Sequence, residues 1–164
     1  MNNFYLRNQK LIDTKTSYKW RNDKAVWKKT LGSGNFKNNN KVSLQDEINW
    51  YKKIKKQNNR KNLSIVLRND KLIGYIYFTN IVDHEAEFQI VIGERRFWNK
   101  GFGYKASKLS LLFAFLNFRI NFFYLYVKKT NKNAIKLYKK IGFKRVNSSS
   151  NEIYKMKYNL NEKF

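Results

Sequence analysis

Between a run that reads as a strand and one that reads as a helix lies Trp98-Asn99-Lys100-Gly101-Phe102-Gly103. Glycines one residue apart let the main chain turn sharply and gather several N–H groups at a helix N-terminus, where aligned peptide dipoles favour an anion. Such a bend can seat a diphosphate, and the same spacing also serves a plain turn with close helix packing. It is not the dinucleotide fingerprint, which needs a third glycine and a later acidic partner, nor a P-loop, which needs G-K-[ST]. A second segment, Trp20-Arg21-Asn22-Asp23, sets an aromatic ring beside a guanidinium. That pair can stack a sugar or base and hold a phosphate, or it can end a helix on a packed tryptophan and a polar turn. With no cysteine, thiol nucleophiles, zinc-thiolate sites and disulfides are excluded, and the lone histidine, His84, disfavours serine-triad chemistry.

The elements that must carry these residues follow from hydrophobic spacing. Phe4 to Ile12 reads as a first strand, and Asp13 or Thr14 can cap a short helix through Trp20. Leu31 to Lys41, clustered in Gly and Asn, reads as a loop that could close over a ligand. Ser43 opens a capping-box-like S-x-x-D, and Leu44, Ile48, Tyr51 and Ile54 recur at helical spacing, which predicts an amphipathic helix over Ser43 to Lys56. A meander follows: Leu63 to Leu67, a turn at Asn69-Asp70-Lys71, Leu72 to Thr79, then Ala86 to Ile92 with Glu87, Gln89 and Val91 on one face. Tyr104 to Phe115 is helical, with Leu109, Leu112, Phe113 and Leu116 as the expected buried stripe. A strand Asn121 to Lys128, a helix Asn131 to Ile141 stopped by Gly142, and strands near Phe143 to Val146 and Glu152 to Tyr158 complete the order. The order β-α-α-β-β-β-α-β-α-β-β predicts one α+β domain over residues 1–164 with a mixed sheet.

Composition bounds the partners. At 42% hydrophobic and 17% aromatic, the 164 residues can build a core. The 35 basic against 11 acidic residues give a net charge of +24, a field that favours anionic ligands and repels polycations. That charge marks either nucleic-acid binding or a solvated lysine coat, since the wealth of Asn, Ile, Phe and Tyr and the lack of proline also fit an A+T-rich coding bias. The longest apolar run, Leu109 to Phe118, is too short for a membrane span, and MNNFYLRNQK lacks the apolar core of a signal peptide, so a cytoplasmic location is expected.

Taken together, IVIGERRFWNKGFGYKASKLSLLFAF and FFYLYVKKTNKNAIKLYKKIGFKRV resemble the GNAT superfamily of acetyl-CoA-dependent N-acetyltransferases, in the branch of ribosomal-protein, spermidine and amino-sugar acetyltransferases. The resemblance implies a mostly antiparallel, twisted sheet with a splayed strand pair, flanked by helices. Trp98, Asn99, Lys100, Gly101, Phe102 and Gly103 fall on the pyrophosphate-binding element, with Trp98 in place of the usual Gln or Arg. Ile90, Val91 and Ile92 would pair with the pantetheine arm, and a main-chain N–H near Val91 would polarise the acetyl carbonyl. Asn131 matches a position that contacts the coenzyme arm, and Lys100, Arg95 and Arg96 are candidates for its phosphates, as they are for ordinary surface cations. Tyr138 matches the tyrosine that protonates the departing thiolate. Direct attack by an unprotonated amine needs neither a metal nor a covalent enzyme intermediate. Glu87 is the first candidate for general base, with Asp83, His84 and Glu85 as competitors, and Trp20, Arg21 and Asn22 would border the acceptor.

For the acceptor, the basic surface and the W-R-N segment favour a nucleotide-linked amino sugar, as in N-acetyltransferases of the pseudaminic-acid type of pathway. Protein N-terminal acetylation is the runner-up. Polyamines rank third, because their site should be lined by carboxylates, and a nucleic-acid-binding module without catalysis stands further off. A homodimer is compatible with all of these.

Overall fold

The computed structural model describes residues 3–27, 41–146 and 151–163. The chain runs β1 (Phe4–Asn8), α1 (Thr14–Arg21), α2 (Lys24–Trp27), α3 (Leu44–Lys55), β2 (Lys61–Leu67), β3 (Leu72–Val82), β4 (Glu85–Ile92), α4 (Phe102–Phe118), β5 (Phe122–Lys128), α5 (Lys132–Ile141), β6 (Lys144–Val146) and β7 (Ile153–Asn159). The strands form one seven-stranded sheet in the order β1-β2-β3-β4-β5-β7-β6. Every pairing is antiparallel except β4 with β5. No helix among the described residues is long and apolar enough to cross a membrane.

Each element has a local cause. Ser43 accepts from the Asp46 N–H and Asp46 answers by accepting from the Ser43 N–H at 2.8 Å, so α3 opens on the expected box. Gly142, at φ +119, ends α5 in the left-handed conformation that glycine adopts without a Cβ penalty. The first strand stops at Asn8, four residues short of the expected end, because Leu11–Asp13 curls into a 3-10 turn. That turn is held by Asp13, which accepts from both guanidinium nitrogens of Arg7 at 2.6 and 2.8 Å, from the Lys10 N–H at 2.9 Å and from the Ser64 hydroxyl at 2.7 Å. The predicted loop Leu31 to Lys41 falls, except for Lys41, outside the described residues.

The sheet separates two apolar layers. Even positions of β4 face α4 and α5, where Phe88 joins Phe78, Leu111, Tyr138 and Phe143. Odd positions face α1 to α3, where Trp20, Val66, Tyr75 and Tyr77 cluster with Trp50, Val91 and Trp98 packed against them. The stripe expected on α4 is corrected in part: Leu109 and Phe113 pack half-buried against the core, but the other two do not. Leu116 is 68% and Leu112 40% exposed, while the buried positions are Ala106, Ser107, Ser110, Leu111 and Ala114. Apart from the exposed Lys105, Lys108 and Asn117, large apolar side chains are spread around the helix, so hydropathy carried no clear preferred face. Small side chains decide it, because they let the backbone approach the sheet closely.

Candidate active site

The β4–β5 pairing covers only Glu85–Glu87 against Phe122–Tyr124. Beyond Glu87 the two strands part, and their free edges face a cleft. Main-chain direction on β4 is fixed at both ends. The Phe122 N–H donates to the His84 carbonyl at 3.1 Å and the Gly93 N–H donates to the Ile73 carbonyl at 2.9 Å. Because ladder groups alternate along a strand, Ile90 and Ile92 turn their N–H and C=O toward the cleft. Val91 turns its own toward Tyr75, its partner on β3. The expected donor near Val91 is therefore not Val91's own N–H; the neighbouring groups that face the cleft belong to Ile90 and Ile92. The Ile92 carbonyl accepts the Trp98 indole N–H at 2.7 Å. Trp98 therefore ties the loop to the cleft edge through its side chain, which explains why a Gln or Arg is dispensable there.

The loop that follows ends on Asn99 at φ +58 and Gly101 at φ +80, both left-handed. Gly101 is the N-cap of α4, so the helix starts two residues earlier than the spacing suggested. The first intrahelical bond is Lys105 N–H to Gly101 C=O at 3.1 Å, which leaves the N–H groups of Phe102, Gly103 and Tyr104 without helical acceptors, and no side chain among the described residues caps them. A Cβ on Gly101 would meet nothing within 4 Å, so space is open in front of these donors. A coenzyme pyrophosphate fits this arrangement. A Cβ at Gly103 would make an ordinary 3.5 Å contact with Leu137 Cδ2, which shows α5 lying beside the start of α4.

On α5, Tyr138 is 8% exposed and meets Phe88 and Phe143 edge-on, with ring centroids 6.4 and 5.8 Å away. Burial pushes its hydroxyl up to about 12, so it is protonated at neutral pH. Asn131 caps α5, its side chain accepting from the Ala134 N–H at 3.2 Å. Glu87 lies on the opposite face at the closed end of the cleft, and its two oxygens accept from Gln89 Nε2 at 2.9 Å and Asn80 Nδ2 at 3.0 Å. Asp83 and His84 are exposed in the β3–β4 turn, where His84 Nδ1 bonds the Arg119 carbonyl at 2.8 Å and steadies the end of α4. Glu85 pairs with Phe122 in the closed part of the sheet. Arg95 and Arg96 have partners in the chain, Asp23 at 3.9 Å and Glu94 at 3.7 Å, while Lys100 is exposed beside Gly101.

The W-R-N segment is placed differently from the expectation. Trp20 is 6% exposed; its ring lies across Gly93, where a Cβ would fall 2.0 Å from Trp20 Cδ2, and its indole N–H donates to Glu94 at 3.2 Å. Asn22 spends its amide on the chain itself, donating to the Tyr18 and Val42 carbonyls at 2.9 and 2.8 Å and accepting from the Val42 N–H at 2.8 Å. Both side chains are engaged within the chain itself, Trp20 also meeting Tyr75 edge-on at 5.7 Å between ring centroids. Arg21 reaches the acceptor side, with its guanidinium 5.5 Å from the Trp50 ring centroid and 3.8 Å from Glu47. Sequence reasoning missed Glu47, which is 1% exposed and accepts from Ser17 Oγ at 2.6 Å. Burial raises its pKa, with Ser17 and the Arg21 charge acting the other way. It sits one residue from Ile48 on an amphipathic helix, and only the packing of α1 against α3 shows that it points inward.

A parted parallel pair beside a donor-rich helix start is the architecture of an acyl-CoA-dependent transferase. Residues 3–144 match the acetyltransferase (GNAT) domain family. The chain belongs to that family, an N-acetyltransferase with acetyl-CoA as co-substrate. It is 27% identical to acetyltransferase PseH of Campylobacter jejuni over 126 residues, 77% of this chain and 73% of that one. It is 39% identical to spermidine N(1)-acetyltransferase of Escherichia coli K12 over 64 residues, which span 39% of this chain and 34% of that one. Its fold superimposes on the spermidine N-acetyltransferase of Vibrio cholerae in complex with CoA and spermine with a TM-score of 0.83 and 20% identity, covering 97% of this chain and 96% of the other.

Proposed function

We propose that the chain acetylates the amine of an anionic acceptor, a nucleotide-linked amino sugar, by direct transfer from acetyl-CoA. The N–H groups of Phe102, Gly103 and Tyr104 hold the coenzyme pyrophosphate, and the cleft-facing main chain of Ile90 and Ile92 lies along the pantetheine arm. The Ile90 N–H polarises the acetyl carbonyl, Glu87 takes the proton of the incoming ammonium, and Tyr138 gives its proton to the departing sulfur. Acetyl-CoA supplies the activated acyl group.

The observation that carries the acceptor is the charge of the acceptor side. Its buried acid, Glu47, accepts from Ser17 through one oxygen and has the Arg21 charge 3.8 Å from the other, which has no hydrogen-bond partner among the described residues, and the chain as a whole stands at +24. A tri- or tetracation is repelled by that field, whereas a diphosphate is drawn in. The similarity to acetyltransferase PseH extends over 77% of the chain, whereas that to the spermidine acetyltransferase is confined to 39% of it. Polyamine acetylation is the second reading, favoured by the 39% identity to a spermidine acetyltransferase over the 64 residues it shares. Steady-state turnover with a nucleotide-linked 4-amino sugar, an N-terminal peptide panel and spermidine separates them: the sugar nucleotide should give the highest kcat/KM, and robust turnover of spermidine alone would reverse the ranking.

A further inference from the structure

Arg60, just before β2, lies with its guanidinium carbon 5.5 Å from the Trp50 ring centroid and 5.1 Å from that of Tyr77. Trp50 and Tyr77 themselves meet edge-on at 6.2 Å, so the guanidinium is held against two walls of one aromatic corner. Its one hydrogen bond among the described residues runs from Nε to Asn62 Oδ1 at 2.9 Å, and no described carboxylate stands within 4 Å of it. Burial lowers its pKa, against the opposing pull of Tyr77 and Glu87. A half-buried cation without a paired anion is costly, and a guanidinium held between two aromatic rings with only Nε engaged keeps terminal N–H donors that a phosphate can accept from.

The location gives this edge a use. Tyr77 on β3 stands opposite Gln89 on β4, two residues from Glu87 and on the same face of the sheet. Adjacent strands are about 4.8 Å apart, so Arg60 stands roughly one to two strand widths from the cleft. That separation suits a sugar ring whose amine enters the cleft while its glycosidic phosphate stays outside. Arg21 leans on the same Trp50 ring at 5.5 Å and adds positive charge to the corner.

We propose that Arg60, laid against Trp50 and Tyr77, is the seat for a phosphate of the acceptor and thereby selects acceptors that carry one. The inference rests on the anionic-acceptor reading above. It is tested on the full chain saturated with coenzyme A, so that the α4 site is filled, by titrating inorganic pyrophosphate at constant ionic strength and following tryptophan fluorescence. Wild type should bind saturably, Arg60→Gln should bind at least tenfold more weakly, and Arg60→Lys should lie between, since an ammonium keeps the charge without the fork. In turnover, Arg60→Gln should raise KM for the sugar nucleotide about 10- to 100-fold, change kcat less than threefold and leave KM for acetyl-CoA unchanged. Should Arg60→Gln prove unfolded by thermal melting, Arg60→Lys carries the test, with an expected loss of about fivefold. Pyrophosphate affinity and sugar-nucleotide KM that do not respond to either variant would overturn the seat. If wild type acetylates only spermidine or peptides, the acceptor reading fails. The titration still decides Arg60: saturable, Arg60-dependent binding upholds the anion seat, and its absence removes it.

Discussion

Tyr138 of α5 stands edge-on to Phe88 of β4, ring centroids 6.4 Å apart, and Phe88 is the first residue of β4 beyond its registered pairing with β5. The aromatic contact thus fixes the proposed proton donor at the point where the strands part. Because burial pushes the Tyr138 hydroxyl up to about 12, it stays protonated across the working range. Tyr138→Phe keeps the ring contacts and removes only the proton. We expect kcat to fall about 10- to 100-fold with acetyl-CoA affinity within about twofold of wild type. Single-turnover kinetics with calorimetry of coenzyme binding check this, and an unchanged rate would remove Tyr138 from the leaving-group role.

The turn before α4 makes a separable prediction. Gly101 sits at φ +80 with open space around it, so Gly101→Ala introduces no clash and strains only the backbone. That strain costs about 1–2 kcal/mol, and it falls on the conformation that presents the amide donors. Coenzyme A should bind about 5- to 20-fold more weakly, with kcat nearly unchanged at saturation. Equal calorimetric affinity for variant and wild type would show that this bend does not hold the pyrophosphate.

Glu87 is held by Asn80 and Gln89, one donor on each oxygen, which aims the carboxylate without burying it. Glu87→Gln preserves the shape and removes the basicity, and kcat/KM for the amine should drop on the order of 100-fold. Asn80→Ala should cost about threefold by loosening the same group. If Glu87→Gln retains wild-type kcat/KM at every pH, the base lies elsewhere.

Stability should depend on pH through Asp13. Burial raises its pKa, but the Arg7 guanidinium, the Lys10 N–H and the Ser64 hydroxyl outweigh that and hold it below the ordinary carboxylate value. A carboxyl whose folded pKa is depressed contributes stability that is complete above its unfolded value, about 3.9, and is lost as pH falls through the folded value. Asp13→Asn leaves Arg7 half-buried and unpaired, which should cost about 3 kcal/mol at pH 7. Denaturant melts of variant and wild type should converge below about pH 4; a constant gap across that window would contradict the linkage.

The elements around the site were legible in the sequence. The glycine spacing located the start of α4 to within two residues, and the N-x-x-A-I-x-L-Y stretch located α5 with Asn131 as its cap and Tyr138 on its buried side, because those residues sit at fixed offsets within a single helix or turn. The meander was equally legible, since alternation in β3 and β4 has a period of two whatever covers the faces. The acceptor side was read poorly. Trp20 and Asn22 resembled substrate contacts because an aromatic beside polar groups looks the same in a pocket and in a packed corner. Only Gly93 beneath the Trp20 ring and Val42 clamped by Asn22 distinguish them.

The sequence by itself pointed to the class of chemistry through the family resemblance of its two motif segments, while the absence of cysteine and the basic charge bounded the alternatives. These are properties of the chain that folding does not alter. Tertiary structure alone decided which main-chain groups face the cleft, that Glu47 points inward and that Arg60 lies against Trp50 and Tyr77. Each of these depends on contacts between residues far apart in the chain, made when α1 and α3 settle on the sheet, and no local pattern encodes the register at which two distant elements meet.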